Sequence, residues 1–352
     1  MRKELKEANK PKIAVELIGG LGNQLFQLSA CFIFAKIHNR IPLYTDRLLD
    51  GNRKNEVRDL AVELGINFIN SNVIENWPLL REDQIIHPAF FSYFPETNYL
   101  PKQNIVLSGY FQNFKIHNQN LKYIIKKYSK TTYNKINISN DEFISLHIRE
   151  LQASRNDSPL KNRDTLNLDY YKRALEIIES NLKENNKKLK NIYLFSDMFN
   201  KNKKNSKIIG PLTDLIKNKK YNLILADNLC STAWETIAIM SQGKFIISSN
   251  STFSWWAGYL SEGLVISPIL SLWDVRLITP ESWIQVNDGN LSPRTWHNLN
   301  VYKHKKIKLK KRKDNKLLIR KVNHIINFYI LNRTIYNIFT KFRNLKRRNL
   351  NS

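Results

Sequence analysis

The 352-residue chain is poor in cysteine and contains no long apolar run. Its two cysteines, Cys31 and Cys230, are too few for a disulfide framework and are typical of a protein in a reducing compartment. No stretch reaches the roughly 18 apolar residues that a membrane span needs. The charged N-terminus, MRKELKEANKPK, lacks the apolar core of a signal peptide. We therefore expect a cytoplasmic protein that is soluble or peripherally attached to the inner face of a membrane.

Residue patterns that bind metal ions are also missing from the sequence. It has no Asp-x-Asp pair, which is the usual clamp for a divalent ion on a nucleotide diphosphate, and its seven histidines are scattered. Neither His-Glu-x-x-His nor a Cys/His cluster with zinc spacing occurs. We therefore expect no metal and no cofactor. Positive side chains and backbone N–H groups would have to stabilise any anionic ligand.

Acidic residues are scarce, 30 against 56 lysines and arginines, which gives a net charge of +26. The excess is concentrated in residues 301–352, which carry 17 basic residues and one acidic residue. Apolar residues recur at helical spacing between positions 318 and 339, and a basic amphipathic helix can lie on an anionic membrane. We expect residues 304–352 to make this contact. Docking of this tail on the protein and binding to RNA remain as alternatives, but no RNA-binding motif is present and we expect no nucleic acid.

Predicted strands and helices alternate along the chain, which favours parallel α/β sheets. The apolar patterns predict strands at residues 12–18, 41–44, 105–110, 142–147, 192–195, 221–225 and 244–248, and helices at 25–38, 170–184, 233–241 and 253–260. Polar residues dominate 113–140, where we place a domain boundary. The sequence thus predicts Rossmann-like domains at 1–135 and 136–300 that face each other across a cleft, followed by a helical tail at 301–352. Ligands of such sheets bind beyond the carboxyl ends of the strands.

Three glycines, Gly19, Gly20 and Gly22, separate the first predicted strand from the first predicted helix. Glycine can take positive φ and lets a ligand approach the backbone, and a helix N-terminus attracts phosphate. The spacing matches neither the dinucleotide-binding fingerprint nor the P-loop. A tight turn without a ligand is therefore the alternative. The amides of Asn23 and Gln24 favour a ligand, because they could bond to a sugar or phosphate.

Three later predicted strands also end in polar residues. His147 and Arg149 leave one face of a strand end, and an arginine can bond two phosphate oxygens at once. Asp197 follows a second strand, where a carboxylate could bind a base or a ribose hydroxyl. The third strand leads into Ser248–Thr252 before a helix, a second candidate anion site. The alternative for each is an ordinary strand end or helix cap.

Six motifs occur in a fixed order: Gly19-Gly-Leu-Gly-Asn-Gln-Leu-Phe-Gln27, Gly109-Tyr-Phe-Gln112, His147-Ile-Arg149, Leu168-Asp-Tyr-Tyr171, Phe195-Ser-Asp197 and Asn250-Ser-Thr-Phe-Ser-Trp-Trp256. Over about residues 12–290 the set resembles glycosyltransferase family 11, the α-1,2-fucosyltransferases. The resemblance implies a GT-B-type pair of Rossmann-like domains, the first on the acceptor side. It also implies metal-independent, inverting transfer of L-fucose from GDP-L-fucose to a galactose-type hydroxyl of an oligosaccharide. Such a reaction would serve surface polysaccharide or O-antigen biosynthesis.

The resemblance also implies roles for individual residues. Asn23, His147 and Arg149 would be catalytic, with His147 and Arg149 on the diphosphate. The implied donor-binding residues are Gly20, Gly22, Asn23, His147, Arg149, Asp197, Asn250, Ser251, Thr252, Phe253 and Ser254. Asp197 would hold the guanosine. The general base is left open among Glu16, Asp169 and Glu235, which are carboxylates near the motifs.

Two positions depart from the family pattern. Glu150 stands where a second arginine usually follows His-x-Arg, and a carboxylate there would oppose an anionic donor by roughly 2–4 kcal/mol. Met198 stands where a second aspartate usually follows Phe-Ser-Asp. Arg155 could compensate for the missing arginine. These departures leave two alternatives: a glycosyltransferase with a different sugar nucleotide, or a catalytically weak glycan- or membrane-binding homologue.

Overall fold

A computed structural model describes residues 10–49, 51–82, 86–87, 92–93, 103–114, 117–138, 141–149, 166–196, 206, 208–269 and 279–286. All of them belong to one compact unit, Met1–Gly289. The predictions for Glu150, Arg155, Asp197, Met198 and the tail 301–352 fall outside the described residues.

The first lobe is built on a five-stranded parallel sheet of order β3-β2-β1-β7-β4. Its elements are β1 (Lys12–Glu16), α1 (Leu21–Ile37), β2 (Ile41–Thr45), a 3₁₀ helix (Gly51–Asn55), α2 (Arg58–Glu63), β3 (Asn67–Phe68), α3 (Ser71–Ile74), β4 (Leu79–Arg81) and β7 (Ile105–Ser108), with a separate antiparallel pair β5 (Ile86–His87) and β6 (Ser92–Tyr93). The central strand β1 is covered on both faces, so Ile13, Ala14 and Val15 are fully buried. This double burial explains its continuous apolar sequence.

The polar segment 113–140 contains a helix that the sequence analysis did not predict, α4 (Gln119–Tyr133). Asn118 caps its N-terminus by accepting a hydrogen bond from a backbone N–H. Its apolar face is narrow, with Leu121 and Ile125 buried among lysines and tyrosines that remain accessible. The helix packs against the C-terminal half of the molecule and so helps to connect the two halves.

The second lobe is a six-stranded parallel sheet of order β10-β9-β8-β11-β12-β13. Its elements are β8 (Phe143–Ile148), α5 (Leu168–Glu184), β9 (Asn191–Ser196), α6 (Ile209–Asn218), β10 (Asn222–Leu225), a 3₁₀ helix (Ala226–Asn228), α7 (Ala233–Ser241), β11 (Phe245–Ile247), α8 (Thr252–Leu260), β12 (Leu264–Pro268) and β13 (Ile284–Val286). Strand order reverses between β8 and β11, which is where doubly wound sheets bind ligands. Two parallel α/β sheets confirm the predicted GT-B-type fold class, while the boundary at 135/136 stays a prediction.

Two helix starts differ from the prediction. α1 begins four residues earlier than expected, at Leu21, within the glycine-rich segment. The contacts of that segment with the second lobe hold it helical although glycine is a poor helix former. α5 is capped by Asn167, whose side-chain oxygen accepts a hydrogen bond from the N–H of Tyr170 at 3.1 Å. Asp169 lies in the first turn of this helix.

Aromatic side chains join the lobes into one core. The ring of Phe26 in α1 lies 4.6 Å from that of Trp255 and 5.1 Å from that of Trp256 in α8, measured between centroids. The indole N–H of Trp256 donates to the carbonyl of Gly22 at 3.0 Å. Both tryptophans are buried, with 3% of Trp255 and 0% of Trp256 exposed. The lobes therefore share apolar packing as well as hydrogen bonds.

In the part of the chain that the structure describes, no helix combines the length and the apolar character that a bilayer crossing requires.

The contact between α1 and α8 predicts a large effect for one added methyl group. A Cβ at Gly22 would lie 2.6 Å from the backbone N of Phe253 and 2.6 Å from the carbonyl carbon of Thr252. We expect Gly22→Ala to lower the free energy of unfolding by about 1–3 kcal/mol, because two backbones must separate. Denaturant unfolding measures this change.

Gly210→Ala in α6 is the matched control. A Cβ at Gly210 would meet no atom within 4 Å, and alanine favours a helix. Its free energy of unfolding should be unchanged or slightly higher. Equal effects of the two substitutions would contradict the tight contact at Gly22.

Candidate active site

A cavity of about 570 Å³ lies between the lobes, beyond the carboxyl ends of strands from both sheets. The first lobe contributes the segment after β1, Arg53 after β2 and Tyr110 after β7. The second lobe contributes the ends of β8 and β9, the start of α7 and the start of α8. The cavity thus lies at the edge where the sequence placed a ligand.

The end of β8 supplies His147 and Arg149, both of which line the cavity. Nδ1 of His147 lies 2.6 Å from the hydroxyl oxygen of Ser249. Nη1 of Arg149 donates to the hydroxyl of Ser251 at 2.9 Å. Both contacts cross the strand reversal from β8 to the segment after β11, so they fix the two sides of the crevice to each other.

Two tyrosines of α5 support these strand ends from behind. The hydroxyl of Tyr170 donates to the carbonyl of Ser248 at 2.6 Å, and that of Tyr171 to the carbonyl of His147 at 3.4 Å. Both side chains are buried. The Leu168–Tyr171 motif therefore positions the site without lining it.

The N-terminus of the nine-residue helix α8 opens onto the cavity. Ser251 is its N-cap and accepts a hydrogen bond from the N–H of Phe253 at 3.2 Å. The first turn of a helix carries N–H groups without intrahelical partners and the positive end of the helix dipole. Together with the guanidinium of Arg149, this end makes the second-lobe wall suitable for a diphosphate.

The three glycines after β1 have three different functions. Gly19 adopts φ +82°, a conformation that other residues rarely take. Gly22 contacts the backbone of the other lobe. Gly20 lines the cavity, and a Cβ there would meet no protein atom within 4 Å. Of these three glycines, Gly20 thus has the open space beside it that a close ligand approach needs.

Glu56 occupies part of the N-terminus of α1. Its carboxylate accepts hydrogen bonds from the backbone N–H of Leu21 and, at 3.1 Å, from the side-chain amide of Gln24. Burial raises the pKa of Glu56, whereas Arg53 and these hydrogen bonds act in the opposite direction. The predicted anion-binding end of α1 is therefore partly filled by a carboxylate of the protein itself.

Asn23 connects the first lobe to the second. Its side-chain oxygen accepts hydrogen bonds from the hydroxyl of Thr252 at 2.9 Å and from the side-chain amide of Gln112 at 3.1 Å. Asn23 also lines the cavity. Its amide oxygen therefore joins three segments of the site.

The loop after β7 is held in an uncommon conformation. Gln27 donates to the carbonyl of Gly109 and accepts from the N–H of Ile18, both at 2.9 Å. Phe111 has φ +52° and a fully buried ring. Tyr110 between them is 47% exposed and lines the cavity. Strained backbone of this kind persists where surrounding contacts fix it, and here it projects an aromatic ring at the cavity.

His147 is uncharged at neutral pH. Burial, with a smaller contribution from Arg149, lowers its pKa from 6.5 to about 3. The strand-end pattern predicted that His147 and Arg149 together neutralise a diphosphate. In this arrangement Arg149 is the charged member of the pair at neutral pH, and a contact of His147 with a diphosphate stays a prediction.

The cavity brings together eight of the eleven predicted donor-binding residues. They are Gly20, Gly22, Asn23, His147, Arg149, Ser251, Thr252 and Phe253. Asn250 and Ser254 are buried behind this wall, and the hydroxyl of Ser254 donates to the carbonyl of Ser251 at 3.2 Å. Asp197 lies outside the described residues, although Ser196 just before it lines the cavity. The ligand contacts assigned to these residues stay predictions.

None of the three candidate bases lines the cavity. Glu16 is buried and forms an ion pair with Arg47. Glu235 closes a capping box with Thr232 at the start of α7. Asp169 lies in the first turn of α5. Among the described residues, no aspartate or glutamate contributes to the cavity lining.

Sequence reasoning missed Arg53 and Tyr110 as lining residues. Tyr110 stands in a motif used for the resemblance and directly follows a predicted strand, so its position carried a signal. Arg53 follows β2 at a distance of eight residues, within a charged segment, where its sequence neighbours give no reason to single it out. Its place in the site depends on the 3₁₀ helix Gly51–Asn55.

The model of glycosyl transferase family 11 matches residues 2–273 of the chain. The chain belongs to this family. It is therefore a glycosyltransferase, as the six motifs indicated. The relative WbnK of Escherichia coli, described as an O-antigen biosynthesis glycosyltransferase, is 23% identical over 324 residues, which are 80% of this chain and 99% of WbnK.

Two solved structures are also similar to this family 11 chain. The fucosyltransferase NodZ from Bradyrhizobium has a TM-score of 0.42 at 12% identity, over 72% of this chain and 94% of NodZ. POFUT1, solved in complex with GDP, has a TM-score of 0.41 at 13% identity, over 72% of this chain and 95% of POFUT1.

Within the ranges of the chain that the structure describes, no group of three His, Cys, Asp or Glu side chains is arranged to hold a metal ion.

Two buried histidines predict a loss of stability in mild acid. The pKa values of His117 and His147 are both lowered to about 3, mainly by burial. Between pH 6.5 and pH 3 the unfolded chain binds more protons than the folded protein, so stability falls as the pH falls. We expect each histidine to remove about 2 kcal/mol from the free energy of unfolding at pH 5 relative to pH 7.5.

Denaturant unfolding at the two pH values measures this loss, and His147→Gln separates the contribution of His147. The variant keeps a hydrogen-bonding side chain but does not titrate, so its stability should fall by about 2 kcal/mol less than that of the parent protein. An identical fall in both proteins would show that His147 is not buried in its neutral form.

Proposed function

We propose that the protein transfers L-fucose from GDP-L-fucose to a galactose-type hydroxyl of an oligosaccharide. The reaction would form an α-1,2 linkage with inversion and without a metal. The family motifs support the donor and the linkage, and family membership supports the class of reaction. The relative WbnK, described as an O-antigen biosynthesis glycosyltransferase, supports a role in surface polysaccharide synthesis.

The observation that carries the proposal is the second-lobe wall of the cavity. Arg149 and the N-terminus of α8 meet where the strand order reverses, and the hydrogen bond from Arg149 to Ser251 holds them together. Such a wall can bind the two phosphates of a sugar nucleotide. The negative charge on the diphosphate grows as the bond to the sugar breaks. Preorganised positive groups at this position would lower the barrier.

The first-lobe wall is proposed as the acceptor side. Gly20 leaves space beside the second-lobe wall, and the exposed ring of Tyr110 borders the same cavity. Inversion requires the acceptor hydroxyl to attack the sugar from the face opposite the departing diphosphate, and we assign that face to the part of the first-lobe wall around Gly20 and Tyr110. His147 stays neutral and is a weak base at neutral pH, so we assign it a hydrogen-bonding role.

A different sugar nucleotide is the second candidate donor. Glu150 in place of the usual arginine follows directly after Arg149 and adds negative charge to this part of the chain. A donor such as a UDP or dTDP sugar would use the same diphosphate-binding wall. A catalytically weak homologue that only binds glycans is the remaining alternative, and it would bind no nucleotide.

Peripheral membrane attachment through residues 304–352 is part of the proposal and rests on their sequence, a basic segment with helically spaced apolar residues. Sedimentation with anionic vesicles tests it. The chain ending at residue 303 should stay in the supernatant, and its retention on the vesicles would remove the proposed role of the tail.

Calorimetric titration with GDP tests the proposed donor. We expect the parent protein to bind GDP more tightly than UDP or dTDP. Arg149→Ala should weaken GDP binding roughly 10–100-fold, because a charge-assisted hydrogen bond contributes about 1.5–3 kcal/mol.

Arg58→Ala is the matched control, since Arg58 is exposed in α2 and does not line the cavity. Its affinity for GDP should equal that of the parent protein. Tighter binding of UDP or dTDP would favour the second donor. Binding of no nucleotide at all would refute the transferase proposal.

A further inference from the structure

The described lining of the cavity contains two charged side chains, Arg53 and Arg149, and they come from opposite lobes. Arg149 belongs to the second-lobe wall already assigned to the diphosphate. Arg53 extends from the 3₁₀ helix of the first lobe and is exposed. A dianionic group in this cavity would therefore have one guanidinium group available to it from each lobe.

The backbone that carries Arg53 is fixed from both lobes. Arg53 accepts, through its carbonyl, a hydrogen bond from the N–H of Glu56 at 3.3 Å. The carbonyl of Glu56 in turn accepts from the indole N–H of Trp234, a buried residue of α7 in the second lobe. The Glu56 carboxylate is held by Leu21 and Gln24 of α1. The base of the Arg53 side chain is therefore fixed at the mouth of the cavity.

The number of hydrogen-bond donors that a diphosphate needs supports a ligand role for Arg53. Arg149 donates one of its N–H groups to Ser251, so part of its donor capacity is used inside the second lobe. A diphosphate has two phosphate groups, and each is bound best by several donors from fixed directions. Arg53 faces the same cavity from the other side. Glu56 attracts Arg53 electrostatically but is itself bonded to the N-terminus of α1.

We propose that Arg53 is a second diphosphate-binding arginine, which contacts the donor from the first lobe while Arg149 contacts it from the second. The inference rests on the proposed function only in requiring a nucleoside diphosphate; it requires neither guanine nor fucose. Donor binding would then connect both lobes through its phosphates. Arg53 and Arg149 would then together stabilise the negative charge that develops on the leaving diphosphate.

Calorimetric titration of the full chain tests this role with four probes: GDP, UDP, guanosine and inorganic pyrophosphate. We expect Arg53→Ala to weaken binding of GDP and pyrophosphate roughly 10–100-fold and to leave guanosine binding unchanged, because the lost contact is with phosphate. Arg53→Lys should give an intermediate loss, since lysine keeps the charge but not the two-pronged geometry.

Lys54→Ala is the control. Lys54 is the exposed neighbour in the same 3₁₀ helix and does not line the cavity, so its removal changes the net charge equally. Its affinity for all probes should equal that of the parent protein. Thermal unfolding of each variant separates a loss of binding from a loss of folding.

The outcomes distinguish a failure of the proposed role of Arg53 from a failure of the proposed donor. Unchanged GDP affinity in Arg53→Ala, with a loss in Arg149→Ala, would overturn the role of Arg53 and leave the donor intact. An equal loss for guanosine would also overturn it. If the parent protein binds UDP more tightly than GDP, the proposed GDP-linked donor is wrong. The role of Arg53 is then tested by the affinity of Arg53→Ala for UDP and pyrophosphate. Failure of the parent protein to bind any phosphate probe would overturn both.

Discussion

The contact of α1 with α8 at Gly22 is the constraint on which the site depends. Without a side chain at Gly22, the α1 backbone reaches Thr252 and Phe253 of the other lobe. The Trp256 indole and the Asn23 side chain then bond across the same junction. Because Ser251 at the start of α8 also binds Arg149, this one junction sets the position of both walls of the cavity. Glycine is thus needed for lobe packing as much as for ligand access.

Electrostatics give the cavity its chemical character. Arg149, Arg53 and the positive end of α8 face a lining that has no carboxylate among its described residues. Buried His147 remains neutral, and Glu56 is directed to the N-terminus of α1. A leaving diphosphate bound in this cavity would therefore meet positive potential where it develops charge, and the proposed transfer depends on that potential.

Local pattern was enough to predict β1, β2 and β7–β11, because buried parallel strands are continuous apolar runs, but it missed the six other described strands, including the buried β12. The same pattern missed α4, whose buried face has few apolar residues, and misplaced the start of α1, which tertiary contacts set. Arg149 and Ser251 could be predicted because Arg149 directly follows β8 and Ser251 lies in the short segment between β11 and α8, at the reversal point. Arg53 could not, since its place in the site depends on a 3₁₀ helix that is fixed by Trp234, which is distant in sequence. Burial changed the role of His147 in a way that its sequence neighbours do not show.

A crystal structure with GDP bound tests the central claim most directly. The account predicts that the two phosphates lie between the lobes, within hydrogen-bonding distance of the Arg149 guanidinium and of the backbone N–H groups at the start of α8. Phosphates bound elsewhere on the protein, out of reach of Arg149 and of the start of α8, would contradict it.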